Sequence, residues 1–113
     1  MTRAPKQLPM ASLHILVALL DGELHGYALM RRVGELSDGR VKMGPGTLYG
    51  TLNRLVEDQL IVETTDRVER SDGERRRYYQ LTATGHTIAV DELDRLRTLV
   101  YHVRHHLPGG ATA

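Results

Sequence analysis

Lys42-Met43-Gly44-Pro45-Gly46-Thr47-Leu48-Tyr49-Gly50-Thr51-Leu52-Asn53-Arg54-Leu55 reads as a helix that is apolar on one side and equipped for contact on the other. Pro45 suits the first turn, where its missing N–H would have no partner and its fixed φ is already helical. Leu48, Leu52 and Leu55 then share one face, which can be buried. The opposite face carries Thr47, Gly50, Asn53 and Arg54. A glycine in an exposed helix interior costs about 1 kcal/mol relative to alanine, so its presence argues that something approaches closely there. Such a segment is built to lie against another molecule.

On the N-terminal side, Pro9 to Leu20 is nearly all apolar, with Ile15, Leu16, Leu19 and Leu20 at helical spacing and Asp21-Gly22 as a stop. This predicts a buried first helix. His25 to Leu36 predicts a second, with Leu29, Val33 and Leu36 on one face and Ser37-Asp38-Gly39 ending it. The third runs from Pro45 to about Asp58. Beyond it, Leu60-Ile61-Val62-Glu63-Thr64-Thr65 and Arg76-Arg77-Tyr78-Tyr79-Gln80-Leu81 are strand candidates, joined through the polar stretch Asp66 to Glu74 with its Ser71-Asp72-Gly73 turn signal. Alternation places Tyr79 and Leu81 on the core face and Tyr78 on the other, near the arginines. Thr82 can cap a last helix reaching about His106, before Pro108-Gly109-Gly110 breaks it. The expected fold is mainly α with a small β-hairpin: a winged helix-turn-helix over residues 8–82, a C-terminal dimerisation helix over 83–107, and flexible ends at 1–7 and 108–113.

Composition excludes several functions. The 113 residues suffice for one domain, and 41% hydrophobic with 26% charged residues describes an ordinary soluble protein. No apolar run approaches the roughly 18 residues of a membrane span, and the N-terminus lacks the apolar core of a secretion signal, so a cytoplasmic address and no membrane partner are expected. The absence of cysteine removes disulfides and thiolate metal sites. His25 lies near Asp21 and Glu23, but beside a glycine turn it is expected to cap or pack. No nucleophile–base set and no phosphate loop is recognisable, so neither an enzyme nor a cofactor is expected. A formal charge of +1 is modest for a nucleic-acid binder, so charge must be judged by placement.

Three motifs in order, Leu19-Leu20-Asp21-Gly22-Glu23-Leu24-His25-Gly26-Tyr27-Ala28-Leu29, then Gly44-Pro45-Gly46-Thr47-Leu48-Tyr49, then Arg75-Arg76-Arg77-Tyr78-Tyr79-Gln80-Leu81-Thr82, closely resemble the PadR family of bacterial transcription regulators. The resemblance runs from about Leu13 to Gly85. It implies a winged helix-turn-helix repressor acting as a homodimer through its last helix. The short C-terminal region resembles the smaller subgroup of that family, some of whose members bind flat aromatic compounds between subunits; this chain has no Trp and no Phe.

In a helix-turn-helix the second helix enters the major groove of double-stranded DNA, which assigns recognition to the helix at Pro45. Asn53 can pair with adenine and Arg54 with guanine or a phosphate. Thr47 can take a phosphate at the helix start, and Gly50 keeps the surface flat. Tyr49, at the border of the apolar stripe, can pack or contact DNA. The bland alternative is that Asn53 and Arg54 only solvate an exposed face. In the wing, Arg75, Arg76 and Arg77, with Arg67 and Arg70 across the turn, can follow the minor groove or its phosphates, and Tyr78 can donate to one; Glu69, Asp72 and Glu74 dilute this patch, which is otherwise a solvated loop.

On the last helix, Ala89, Leu93, Leu96, Val100, Val103 and Leu107 alternate spacings of four and three, the pattern of a coiled-coil seam. A two-fold pair would set two recognition helices about one DNA turn apart on a near-palindromic operator. Packing wholly on its own domain is the alternative, kept open by Leu99 and Ile88. A small-molecule effector of unidentified nature fits a subunit interface of this kind. His102, His105 and His106 include a spacing of four that can chelate a metal, yet near a helix end they are expected to be solvated, and no metal is assigned. A winged-helix protein-interaction module without DNA binding is the competing functional class.

Overall fold

The computed structural model describes residues 8–68 and 75–106, with side chains omitted from 65–76. Helix α1 spans Met10–Ala18, shorter than the Pro9 to Leu20 expected. Pro9 accepts the first helical bond, from the Leu13 amide at 2.9 Å. The chain leaves the helix early because Gly22, at φ 140°, opens a turn that leaves Leu20 exposed while Leu19 stays in the core.

The hairpin expected from the sequence is a three-stranded antiparallel sheet. A two-residue strand, β1 (Leu24–His25), joins β3 (Arg75–Leu81), which pairs in turn with β2 (Ile61–Val68), giving the order β1-β3-β2. Leu24 lies opposite Tyr79 and His25 opposite Tyr78, while Glu63 and Thr64 face the same two tyrosines from β2. The β2–β3 register shifts between Thr64 and Arg67.

Helix α2 spans Gly26–Leu36, and His25 caps it: its ring Nδ1 accepts from the Ala28 amide at 3.3 Å. Leu29 and Val33 are buried. Asp38 and Gly39 both take positive φ, and the Gly39 amide reaches back to the Gly34 carbonyl at 2.8 Å, closing the helix in a Schellman turn. The Ser37 hydroxyl then accepts from the Val41 amide at 2.9 Å and holds the connection into α3 (Pro45–Glu57). Pro45 occupies the first turn as expected. Gln59, at φ 63°, ends α3 the same way, with the Leu60 amide on the Leu55 carbonyl at 3.0 Å.

Helix α4 spans Ala83–His105. Thr82 caps it, accepting from the Gly85 amide at 2.9 Å while donating to the Gln59 carbonyl at 2.7 Å. Gly85 lets α4 approach closely: a side chain there would strike the Leu60 carbonyl. One core unites Ile15, Leu16, Leu19, Leu29, Val33, Leu48, Leu52, Leu55, Ile61, Tyr79 and Ala89, so all four helices and the sheet contribute. No helix of the described residues is long and apolar enough to cross a membrane.

Candidate nucleic-acid interface

Leu48, Leu52 and Leu55 are all buried, and this rotation of α3 decides what the helix shows outside. Thr47, Tyr49, Gly50, Asn53 and Arg54 are all exposed. Gly50 sits opposite the leucine stripe, with Asn53 and Arg54 following it. A Cβ at Gly46 or Gly50 would meet nothing within 4 Å, so nothing in the chain itself demands these glycines. Their effect is a shallow strip down the middle of an exposed helix. Arg54 makes no ion pair among the described residues, and neither do the exposed Arg40 and Lys42 in the turn before α3. The two turn cations were not singled out from sequence, because no periodicity marks a turn; only their position beside Pro45 could have drawn attention to them.

Tyr49 takes the packing role that the sequence allows. Its ring stays partly exposed, while its hydroxyl packs against Gly26 so closely that a Cβ there would overlap it. The first residue of α2 thereby packs against the recognition-helix candidate.

In the wing, Arg75 and Arg76 lie in β3 opposite Val68 and Arg67, but their side chains lie outside the described residues, as do those of Arg67 and Arg70 and the turn at Ser71-Asp72-Gly73. Arg77 is exposed and shares its guanidinium with Glu63 across the strands, Nε to Oε2 at 3.5 Å. Such a pair contributes at most about 1 kcal/mol and leaves the cation accessible. Tyr78 does not stand free beside the arginines: its ring meets His25 edge-on, with centroids 5.4 Å apart. Tyr79 is in the core as alternation predicts, 1% exposed. Its hydroxyl has no hydrogen-bond partner among the described residues. Burial, then Glu63 and Tyr49, push its pKa above the ordinary 10.0, with nearby Arg77 acting against them.

Along α4 the structure corrects the expected seam at Ala89. Ala89 is 0% exposed inside its own domain's core and is closed to any partner, because Gly85 and Ala89 are the small residues that let the helix dock. Leu93 and Leu96 are half-buried. From Arg97 to His106 every residue is exposed, including Val100 at 52% and Val103 at 56%, with Leu99 and Tyr101 beside them. Leu107 lies outside the described residues, as do the ends at 1–7 and 108–113. The three histidines are engaged locally: the His105 and His106 Nδ1 atoms donate to the Tyr101 and His102 carbonyls, each at 2.8 Å, and their rings stack on those same residues.

The profile of the transcriptional regulator PadR-like family matches residues 15–90. A relative, transcriptional regulator Rv3488 of Mycobacterium tuberculosis, is 37% identical over 103 residues, covering 88% of this chain and 91% of the other. Among solved structures, a PadR family transcription regulator from Clostridium difficile superposes with a TM-score of 0.74 at 25% identity, covering 88% of this chain and 99% of that one. Bacillus subtilis PadR, crystallised in complex with operator DNA, superposes with a TM-score of 0.65 at 23% identity, covering 74% of this chain and 46% of that one.

Proposed function

Since the chain belongs to the PadR-like family of transcriptional regulators, we propose that it binds DNA sequence-specifically, as a ligand-responsive repressor acting as a homodimer on a near-palindromic operator. The observation that carries this reading is the outward face of α3, where Asn53 and Arg54 flank a side-chain-free strip at Gly50 and all five candidate residues are exposed among the described residues, Tyr49 with its hydroxyl packed on Gly26. A helix of this shape can seat in a major groove, Asn53 reading adenine and Arg54 reading guanine or gripping phosphate. Thr47 and the helix start hold phosphate, and Arg75, Arg76, Arg77 and Tyr78 serve the wing. The fold shared with an operator-bound PadR supports the same docking.

Homodimerisation is supported by the unaccompanied end of α4. A helical segment of nine residues, Arg97 to His105, with Leu99, Val100 and Val103 in water is not stable alone, and a second copy of the same seam covers it. Leu93, Leu96, Val100, Val103 and Leu107 form that seam, and the space between two such helices is where an effector would act on the spacing of the recognition helices. Residues 8–82 would then read DNA while the outer part of 83–107 sets the pair.

A mobility-shift titration against the DNA flanking the chain's own coding region, at two salt concentrations, tests this. Specific binding that weakens steeply with salt is expected. Asn53→Ala should relax base choice at one operator position by about tenfold or more, whereas Arg76→Ala should weaken all sequences alike. No shift on any duplex would instead favour a protein-interaction module.

A further inference from the structure

Helix α2 carries two adjacent arginines whose surroundings differ. Arg32 is held between carboxylates, with Asp21 at 3.8 Å and Glu35 at 3.5 Å. Arg31 faces no carboxylate within ion-pair distance among the described residues; its guanidinium lies over the ring of Tyr27, 6.0 Å from the centroid. A cation resting on an aromatic face is oriented without being neutralised. Side chains on a helix lean toward its N-terminus, and Arg31 follows that lean, reaching back one turn to Tyr27. Tyr27 is 63% exposed, so its ring face and hydroxyl are open to a partner. It follows Gly26, the residue against which the Tyr49 hydroxyl of α3 packs. Tyr27 is therefore one residue from the contact between α2 and α3, on the helix that crosses the backbone in a helix-turn-helix.

We propose that Tyr27 and Arg31 form a phosphate grip on α2, the aromatic ring aiming the guanidinium at a DNA backbone oxygen flanking the groove that α3 enters. The inference rests on the DNA-binding reading and adds a contact to it. Arg31 supplies the charge and a forked donor, and Tyr27 adds its hydroxyl and limits the rotamers Arg31 must give up on binding. Because the contact goes to phosphate, it adds affinity without base preference.

The test compares Arg31→Ala, Arg31→Lys and Arg32→Ala in the full chain, on the duplex flanking its coding region and on a scrambled duplex of the same length. Each neutralised phosphate contributes about 0.9 to the slope of log affinity against log salt, so across a roughly fourfold rise in salt the advantage of wild type over Arg31→Ala should shrink about threefold on both duplexes. Arg31→Lys should keep the slope and Arg32→Ala should leave it unchanged. An unaltered slope in Arg31→Ala, or the same loss in Arg32→Ala, would overturn the grip while leaving DNA binding by α3 intact. Failure of the wild type to bind either duplex would overturn both.

Discussion

Tyr79 shows most clearly what one residue does here. The register opposite Leu24 and Glu63 turns its ring into the core, where it supplies much of the apolar contact beneath the helices, but its hydroxyl goes in without a partner among the described residues. An unpartnered buried hydroxyl costs about 1–3 kcal/mol, so Tyr79→Phe should leave thermal stability near neutral pH unchanged or raise it by about 1 kcal/mol. The phenol's pKa is raised in the folded chain by burial above all. A group with a raised folded pKa gives its full contribution below the unfolded value of 10.0 and loses it as pH rises through the folded value. Wild type should therefore lose stability above about pH 10 more steeply than Tyr79→Phe; parallel declines in alkaline unfolding curves would contradict the placement. Two-residue alternation sufficed to read Tyr79 as core from the sequence. The missing partner was not legible, because it depends on which residues of β1 and β2 come to lie opposite.

At the level of elements, two glycines fix how helices meet. Gly85 lies against the Leu60 carbonyl, backbone that cannot move without disturbing the turn between α3 and β2. Gly26 lies against the end of the Tyr49 side chain, which can swing outward. Gly85→Ala should thus cost about 2–3 kcal/mol in urea unfolding and Gly26→Ala about 1 kcal/mol or less. Equal costs would show that the two contacts are not different in kind. Most elements were readable beforehand: the leucines of α3 and its Pro45 gave the helix and its orientation, and Thr82 gave the start of α4. Strand β1 was not, since two residues carry no period, and His25, expected to cap or pack, both ends that strand and caps α2. The heptad-like stripe on α4 was legible, but not where its cover changes. Ala89 continues the stripe yet belongs to the core, because the close approach at Gly85 is a tertiary fact.

At the level of the whole molecule, α4 joins two surfaces with different fates. Its first half completes the domain core, and its last ten described residues, from Arg97 to His106, stand clear of it. In the proposed dimer this outer half sets the distance between two α3 helices, and an effector that alters that distance alters operator affinity. Val100→Asp should leave the monomer fold intact, since Val100 touches little of its own domain. It should give a monomer in analytical ultracentrifugation and weaken operator binding by about a hundredfold or more, because one half-site no longer assists the other. A dimer that survives this change would place the interface elsewhere.

Presentation of Asn53 and Arg54 by two copies of α3 to adjacent turns of one duplex is read out by a hydroxyl-radical footprint on the DNA flanking the coding region. Two protected blocks related by a dyad and separated by about one helical turn are expected; uniform cleavage at every protein concentration would contradict it.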